Sequence, residues 1–96
     1  MNKYAEMSDT DINKLVAKKQ HGYSMFRFDY CNDPAGAWPI ILEYKIGIDT
    51  SGIKGDEDKV WWAELIFDVY GDNHYAEDNN PLRAAMIVYL MLDGEI

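Results

Sequence analysis

The sequence predicts an α+β fold: a small antiparallel sheet of about three strands packed against three helices, in the order α-β-α-β-β-α. Three observations carry this. Asp33-Pro34 and Asn80-Pro81 are proline-led helix starts, and Ser8 opens a third helix. Apolar and polar residues alternate with period two in 23–31 and 60–70. These elements follow one another without a regular βαβ rhythm. With 96 residues there is room for one domain, spanning 1–96.

The first helix takes Ser8 as N-cap, with Asp11 in the capping-box position and Met7 and Ile12 placed as a hydrophobic staple. Asp9 and Asp11 lie at the positive end of its dipole, and Lys18 and Lys19 at the negative end. Ile12, Leu15 and Val16 form its apolar stripe, and Gly22 breaks it. In 23–31, Phe26, Phe28 and Tyr30 point one way and Arg27 and Asp29 the other, as in a half-buried strand.

Asp33-Pro34 then caps a second helix. Pro39 lies too deep for a regular start, so an irregular first turn at 34–37 and a helix over 38–45 are expected. Residues 46–50 read as a short strand and 51–59 as a solvent loop containing Gly52, Gly55 and Asp56-Glu57-Asp58. The strongest strand covers 60–70. Trp61, Ala63, Leu65, Phe67 and Val69 face the core, while Trp62 lies on the other face with Val60 and Ile66. Residues 71–79 read as a polar loop. The last helix runs from Pro81 to about Asp93, with Gly94 as its cap.

That helix is apolar on nearly every side, broken only by Arg83 and softened by Tyr89. A helix without a polar face must be covered all round. Either the sheet and the other helices cover it, or a homodimer interface does.

Composition narrows the class. The chain is 48% hydrophobic, with three Trp, seven Tyr and three Phe, which is too apolar for disorder. The longest apolar run, Ala84 to Leu92, falls well short of the about 20 residues a bilayer span needs. No apolar stretch follows Lys3, and the single cysteine, Cys31, fits a reducing compartment, so a cytoplasmic protein is expected. The net charge of −8 repels phosphate backbones and argues against direct nucleic-acid binding. It serves solubility, or it presents an acidic face to a basic partner.

Candidate chemistry is sparse. Cys31 with His21 or His74 is the one thiol–imidazole pairing, and a cysteine ending an aromatic strand is more often a small buried hydrophobe. Asp72, Asn73, His74, Glu77 and Asp78 lack the ligand spacing of a calcium loop, and zinc would need more His or Cys. No catalytic, metal or cofactor residue is therefore assigned. Asn32-Asp33-Pro34 and Asn79-Asn80-Pro81, each with Ala three residues after the Pro, read as two good helix starts.

Two blocks carry a family resemblance. Asp29-Tyr30-Cys31-Asn32-Asp33-Pro34, running into Ala37-Trp38-Pro39-Ile40-Ile41, resembles a block of the NinX family of lambdoid phages and prophages. Asn80-Pro81-Leu82-Arg83-Ala84-Ala85-Met86-Ile87-Val88, followed by Leu90-Met91, resembles that family's C-terminal signature. Ser8-Asp9 with Ile12-Asn13 resembles its N-terminal stretch, whereas 48–78 has no counterpart. Gly36 stands where that pattern would carry a small polar or acidic residue. The resemblance implies an accessory protein from the early, recombination-associated part of phage genomes, with no activity, cofactor or catalytic residue to transfer.

The expected function is stoichiometric binding of an unidentified host or phage protein. The alternative is an acidic nucleic-acid mimic that competes for a basic DNA-binding protein. An enzyme or small-ligand binder would need a pocket collecting Trp62, His74 and a carboxylate. Candidate interface residues are Trp62, Arg83, Tyr89 and Trp38, with Arg83 paired to Asp78 or Asp33 or anchoring an interface.

Overall fold

The computed structural model describes residues 3–50, 61–65 and 74–92. A short 3-10 turn, Lys3–Glu6, leads into helix α1, Asp9–His21. Helix α2 is Pro34–Tyr44, strands β1, β2 and β3 are Gly47–Thr50, Trp61–Leu65 and His74–Asp78, and helix α3 is Pro81–Met91. The strands form one antiparallel sheet in the order β1-β2-β3. The fold class and strand count are those the sequence predicts, but one strand lies elsewhere. Residues 23–31 are bends and turns, so α2 follows α1 directly, and 74–78, expected as loop, supply the third strand. The expected loop 51–59, strand residues 66–70 and Gly94 lie outside the described residues.

Segment 23–31 keeps its alternation without a partner strand. Phe26 and Phe28 pack against the core and Tyr30 is buried, while Arg27 and Asp29 face solvent. The segment then closes on itself, with the Asn32 and Asp33 amides donating to the Asp29 carbonyl at 2.9 and 2.7 Å. Burial pattern and strand pairing are separate properties, and here only the first is present.

The helix ends follow local chemistry. Ser8 Oγ accepts from the Asp11 amide at 3.1 Å, and Gly22 ends α1 at φ 90°, a left-handed conformation that glycine adopts without penalty. Helix α2 is regular from Pro34, with Pro39 inside it, in place of the irregular turn expected over 34–37. Pro39 stands on the exposed side, where the unmade hydrogen bond faces water, and the Gly36 and Ala37 amides donate to the Asp33 carbonyl at 3.1 Å. The helix stops at Lys45 in the left-handed region (φ 57°), and the Ile46 amide returns to the Ile41 carbonyl at 3.0 Å. Gly36 is fixed by contact: a Cβ there would meet Phe28 Cβ at 2.4 Å.

Helix α3 is the centre of the molecule. Every residue from Arg83 to Leu90 is buried. The helix packs against all three strands and also against α1 and α2, so the chain itself covers it on every side. The residues facing it are small. Ala63 of β2 and Ala76 of β3 are opposite each other in register and buried, and Ala84 and Ala85 are fully buried on the helix. A homodimer through this helix is therefore not needed to bury it.

Tyr89 is 1% exposed, its ring against Tyr44 and beneath the Lys19 ammonium. Its hydroxyl accepts from Gln20 at 2.7 Å, and its carbonyl, among the last of α3, accepts from Lys19 Nζ. The same carbonyl accepts from the Leu92 amide at 3.2 Å, and the lysine adds a cation at the negative end of the helix dipole.

Candidate functional site

Two regions hold the polar and aromatic residues from which a site could be built. The first is a hub where all three helices begin. Arg83 is 8% exposed and reaches across the fold: Nε donates to Asp78 at 2.9 Å, Nη1 to Asp9 at 2.8 Å, and Nη2 to the carbonyls of Tyr4 and Met7. Buried Asn13 donates to Asp29 at 2.8 Å and accepts from the Cys31 amide at 3.1 Å. Asn32 donates to Asp9 and Asp29 at 3.0 and 3.1 Å and accepts from Asn80 at 2.7 Å. Asn80 in turn caps α3 through the Leu82 and Arg83 amides, as Asp33 caps α2 through Ala35.

This arrangement is architecture. Both carboxylate oxygens of Asp9, of Asp29 and of Asp78 accept a hydrogen bond from within the chain. Asp29 is held below the usual carboxylate range, first by Asn13 and then by Asn32. Burial works against the Arg83 charge, but the bonds to Asp9 and Asp78 outweigh it and keep its pKa above the ordinary value. The positive ends of the three helix dipoles face the same carboxylates. The expected Asp78–Arg83 pair is present, Asp9 is its second partner, and Arg83 is turned inward.

Cys31 lies in the same hub, fully buried, with its thiol 3.8 Å from the Asp9 carbonyl. Burial, then the Asp9 charge, push its pKa up to about 12, the opposite of what a nucleophile needs. His21 ends α1, about 18 Å of helical rise from Asp9, so it is not the base of that thiol.

The second region is the sheet face turned away from α3. With Ala63 and Ala76 facing the helix, the alternation puts Trp62, Glu64, Tyr75, Glu77 and Asp49 on the opposite side. Trp62 pairs with Glu77 across β2 and β3, and Glu64 with Tyr75. The aromatics therefore lie on one diagonal and the carboxylates on the other. The two rings stack with centroids 5.4 Å apart and planes at 19°. Tyr75 is 55% exposed, Glu64 and Glu77 are exposed, and Trp62 is half-buried with its indole N–H covered and without an acceptor. Trp61, expected in the core, is on the helix side but 37% exposed at the strand end.

Tyr75 and Glu64 are not singled out from the sequence, and Glu77 enters there only as a loop oxygen ligand. The signal was the alternation of His74-Tyr75-Ala76-Glu77, too short to stand out from the loop residues before it. His74 is on the helix side opposite Leu65, so it and Trp62 leave opposite faces of the sheet. Trp38 is on the outer side of α2, 50% exposed, with Leu42 one turn on at 58%. Of the four candidate interface residues, then, Trp62 and Trp38 reach the surface. A cleft beside the end of α1 is lined by His21, Tyr23, Met25, Phe26, Arg27 and Phe28. No helix among the described residues is long and apolar enough to cross a membrane.

Comparison with protein families gives one match. The family model described as Bacteriophage P22, NinX matches residues 19–93, taking in the block around Asp33-Pro34, all three strands and α3. No curated protein and no solved structure matches the chain.

Proposed function

Since the chain belongs to the bacteriophage P22 NinX family, a phage accessory family, we propose that it acts by stoichiometric binding of another protein, with the outer face of its sheet as the contact surface. One observation carries this reading: a stacked Trp62–Tyr75 pair stands on a sheet face that no described helix covers. Aromatic residues are enriched at protein interfaces and supply much of their binding energy. The hub offers no rival, because its polar atoms are already satisfied within the chain.

The test is affinity capture from lysates of infected host cells, comparing the wild-type chain with Tyr75→Ala. Loss of one stoichiometric protein in the variant supports the reading, and equal retention by both overturns it.

The acidic nucleic-acid mimic remains the second reading, favoured by the net charge of −8 and by Asp49, Glu64 and Glu77 on one face. It predicts that the captured protein binds DNA and that DNA displaces it from the column. A captured protein that holds DNA and this chain together would exclude mimicry.

A further inference from the structure

We propose that the Trp62–Tyr75 stack is a seat for arginine side chains of a basic protein segment. The inference rests on the outer sheet face being the contact surface, and it names the chemistry of the occupant. The three strands hold no Lys or Arg, Asp78 is turned to Arg83 in the hub, and Glu64 and Glu77 are the exposed carboxylates beside the stack. Among the described residues, the outer face thus combines the exposed Tyr75 ring of a stacked aromatic pair with the carboxylates of Glu64 and Glu77.

The diagonal register sets the recognition geometry. Residues directly opposite on antiparallel strands have Cβ atoms about 5 Å apart. Glu77 stands beside Trp62 and Glu64 beside Tyr75, so a cation centred over the rings has a carboxylate on either side. The face of an aromatic ring attracts a cation through its quadrupole. A guanidinium satisfies both demands at once. Its plane lies on the rings, and its edge donates in a fork to a carboxylate. A lysine ammonium is a compact, strongly hydrated point charge and can do only part of this. An apolar segment would leave Glu64 and Glu77 facing it without a counter-charge, which is costly once water is excluded.

The other exposed aromatic surface makes the contrast. Around Trp38 and Leu42, α2 offers Ala35 and Pro39 with a single carboxylate, Glu43, at its end, and no stacked ring pair flanked by two carboxylates.

The experiment is a titration of the full chain with hexa-arginine and with hexa-lysine at matched ionic strength, followed by calorimetry and by the amide and indole N–H resonances. The expected result is saturable arginine binding that shifts the Trp62 indole and the β2 and β3 amides, with lysine weaker. Glu64→Gln with Glu77→Gln, and separately Tyr75→Ala, each weaken arginine binding by about tenfold, as loss of a charge-assisted or cation–π contact should. Trp38→Ala leaves it unchanged. Shifts spread over the whole acidic surface, no preference for arginine, or insensitivity to these variants would overturn the proposal. If Tyr75→Ala abolishes protein capture while hexa-arginine ignores this face, the face is an interface but its occupant is not cationic. If neither responds, the interface reading fails too.

Discussion

The hub and the outer sheet face contain similar ingredients, carboxylates beside a few neutral polar or aromatic groups, yet the fold uses them in opposite ways. In the hub each carboxylate oxygen of Asp9, Asp29 and Asp78 is met by a donor from elsewhere in the chain, and Arg83 supplies the balancing charge. On the sheet, Glu64 and Glu77 project from strands that contain no cation. A closed network stabilises and fixes geometry. An open one leaves interaction capacity for a partner. Density of polar residues therefore does not separate the two regions; what separates them is whether the carboxylates are partnered within the described residues.

The sharpest way to break this contrast is Arg83→Met. It leaves Asp9 and Asp78 without the guanidinium, and removing the buried member of this partly exposed charge cluster costs about 3 kcal/mol. Urea unfolding should show a midpoint far below wild type, whereas an unchanged midpoint would mean that the hub is not structural. Asn13→Ala comes next, at about 2 kcal/mol, because it strips a buried donor from Asp29 and an acceptor from the Cys31 amide.

Gly36→Ala forces Phe28 to move and should cost about 1–2 kcal/mol in the same assay. A stabilised variant would show that the contact with Phe28 relaxes freely. The pH dependence is a finer probe. Asp29 is depressed in the folded state, so its contribution is present above the ordinary carboxylate pKa of about 3.9 and is lost as pH falls through the lower folded value. Asp29→Asn should remove that part of the acid limb in urea midpoints measured from pH 5 downward, and an unaltered limb would discount the Asn13 and Asn32 bonds.

The smallest stability effect belongs to the sheet. Glu77→Gln should change stability by less than about 0.5 kcal/mol while weakening binding, as expected of a residue with no structural duty. A large loss of stability would place Glu77 in the architecture and erase the difference between the two regions.

What was legible in the sequence was local. Ser8, Asp33-Pro34 and Asn80-Pro81 mark helix starts because a cap acts within three residues. Asp78 could be proposed for Arg83 because it lies five positions away, but Asp9, 74 positions away, had no local signal. The aromatic segment 23–31 has the burial pattern of a strand, yet pairing depends on a neighbour that the segment cannot specify. The reverse error hid β3, whose period is visible only once Ala76 is set opposite Ala63. The resemblance blocks converge in the hub, where Asn80 donates to Asn32, so the most recognisable residues proved to be those that hold the helices together. The candidate contact surface falls in 48–78, where no motif was legible.

The central position of α3 has a consequence for synthesis. Helices α1 and α2 and all three strands leave the ribosome before the element on which they pack. Until residues 81–91 emerge, Ile12, Val16, Ile40 and Ile41 have no complete core to enter, and Asp9 has no guanidinium. The nascent chain must keep its apolar stripes in solution until residues 81–91 are available to cover them. A ribosome stalled before codon 81 would therefore present a protease-sensitive chain, and one stalled far enough beyond codon 92 to free α3 from the exit tunnel would present a resistant one.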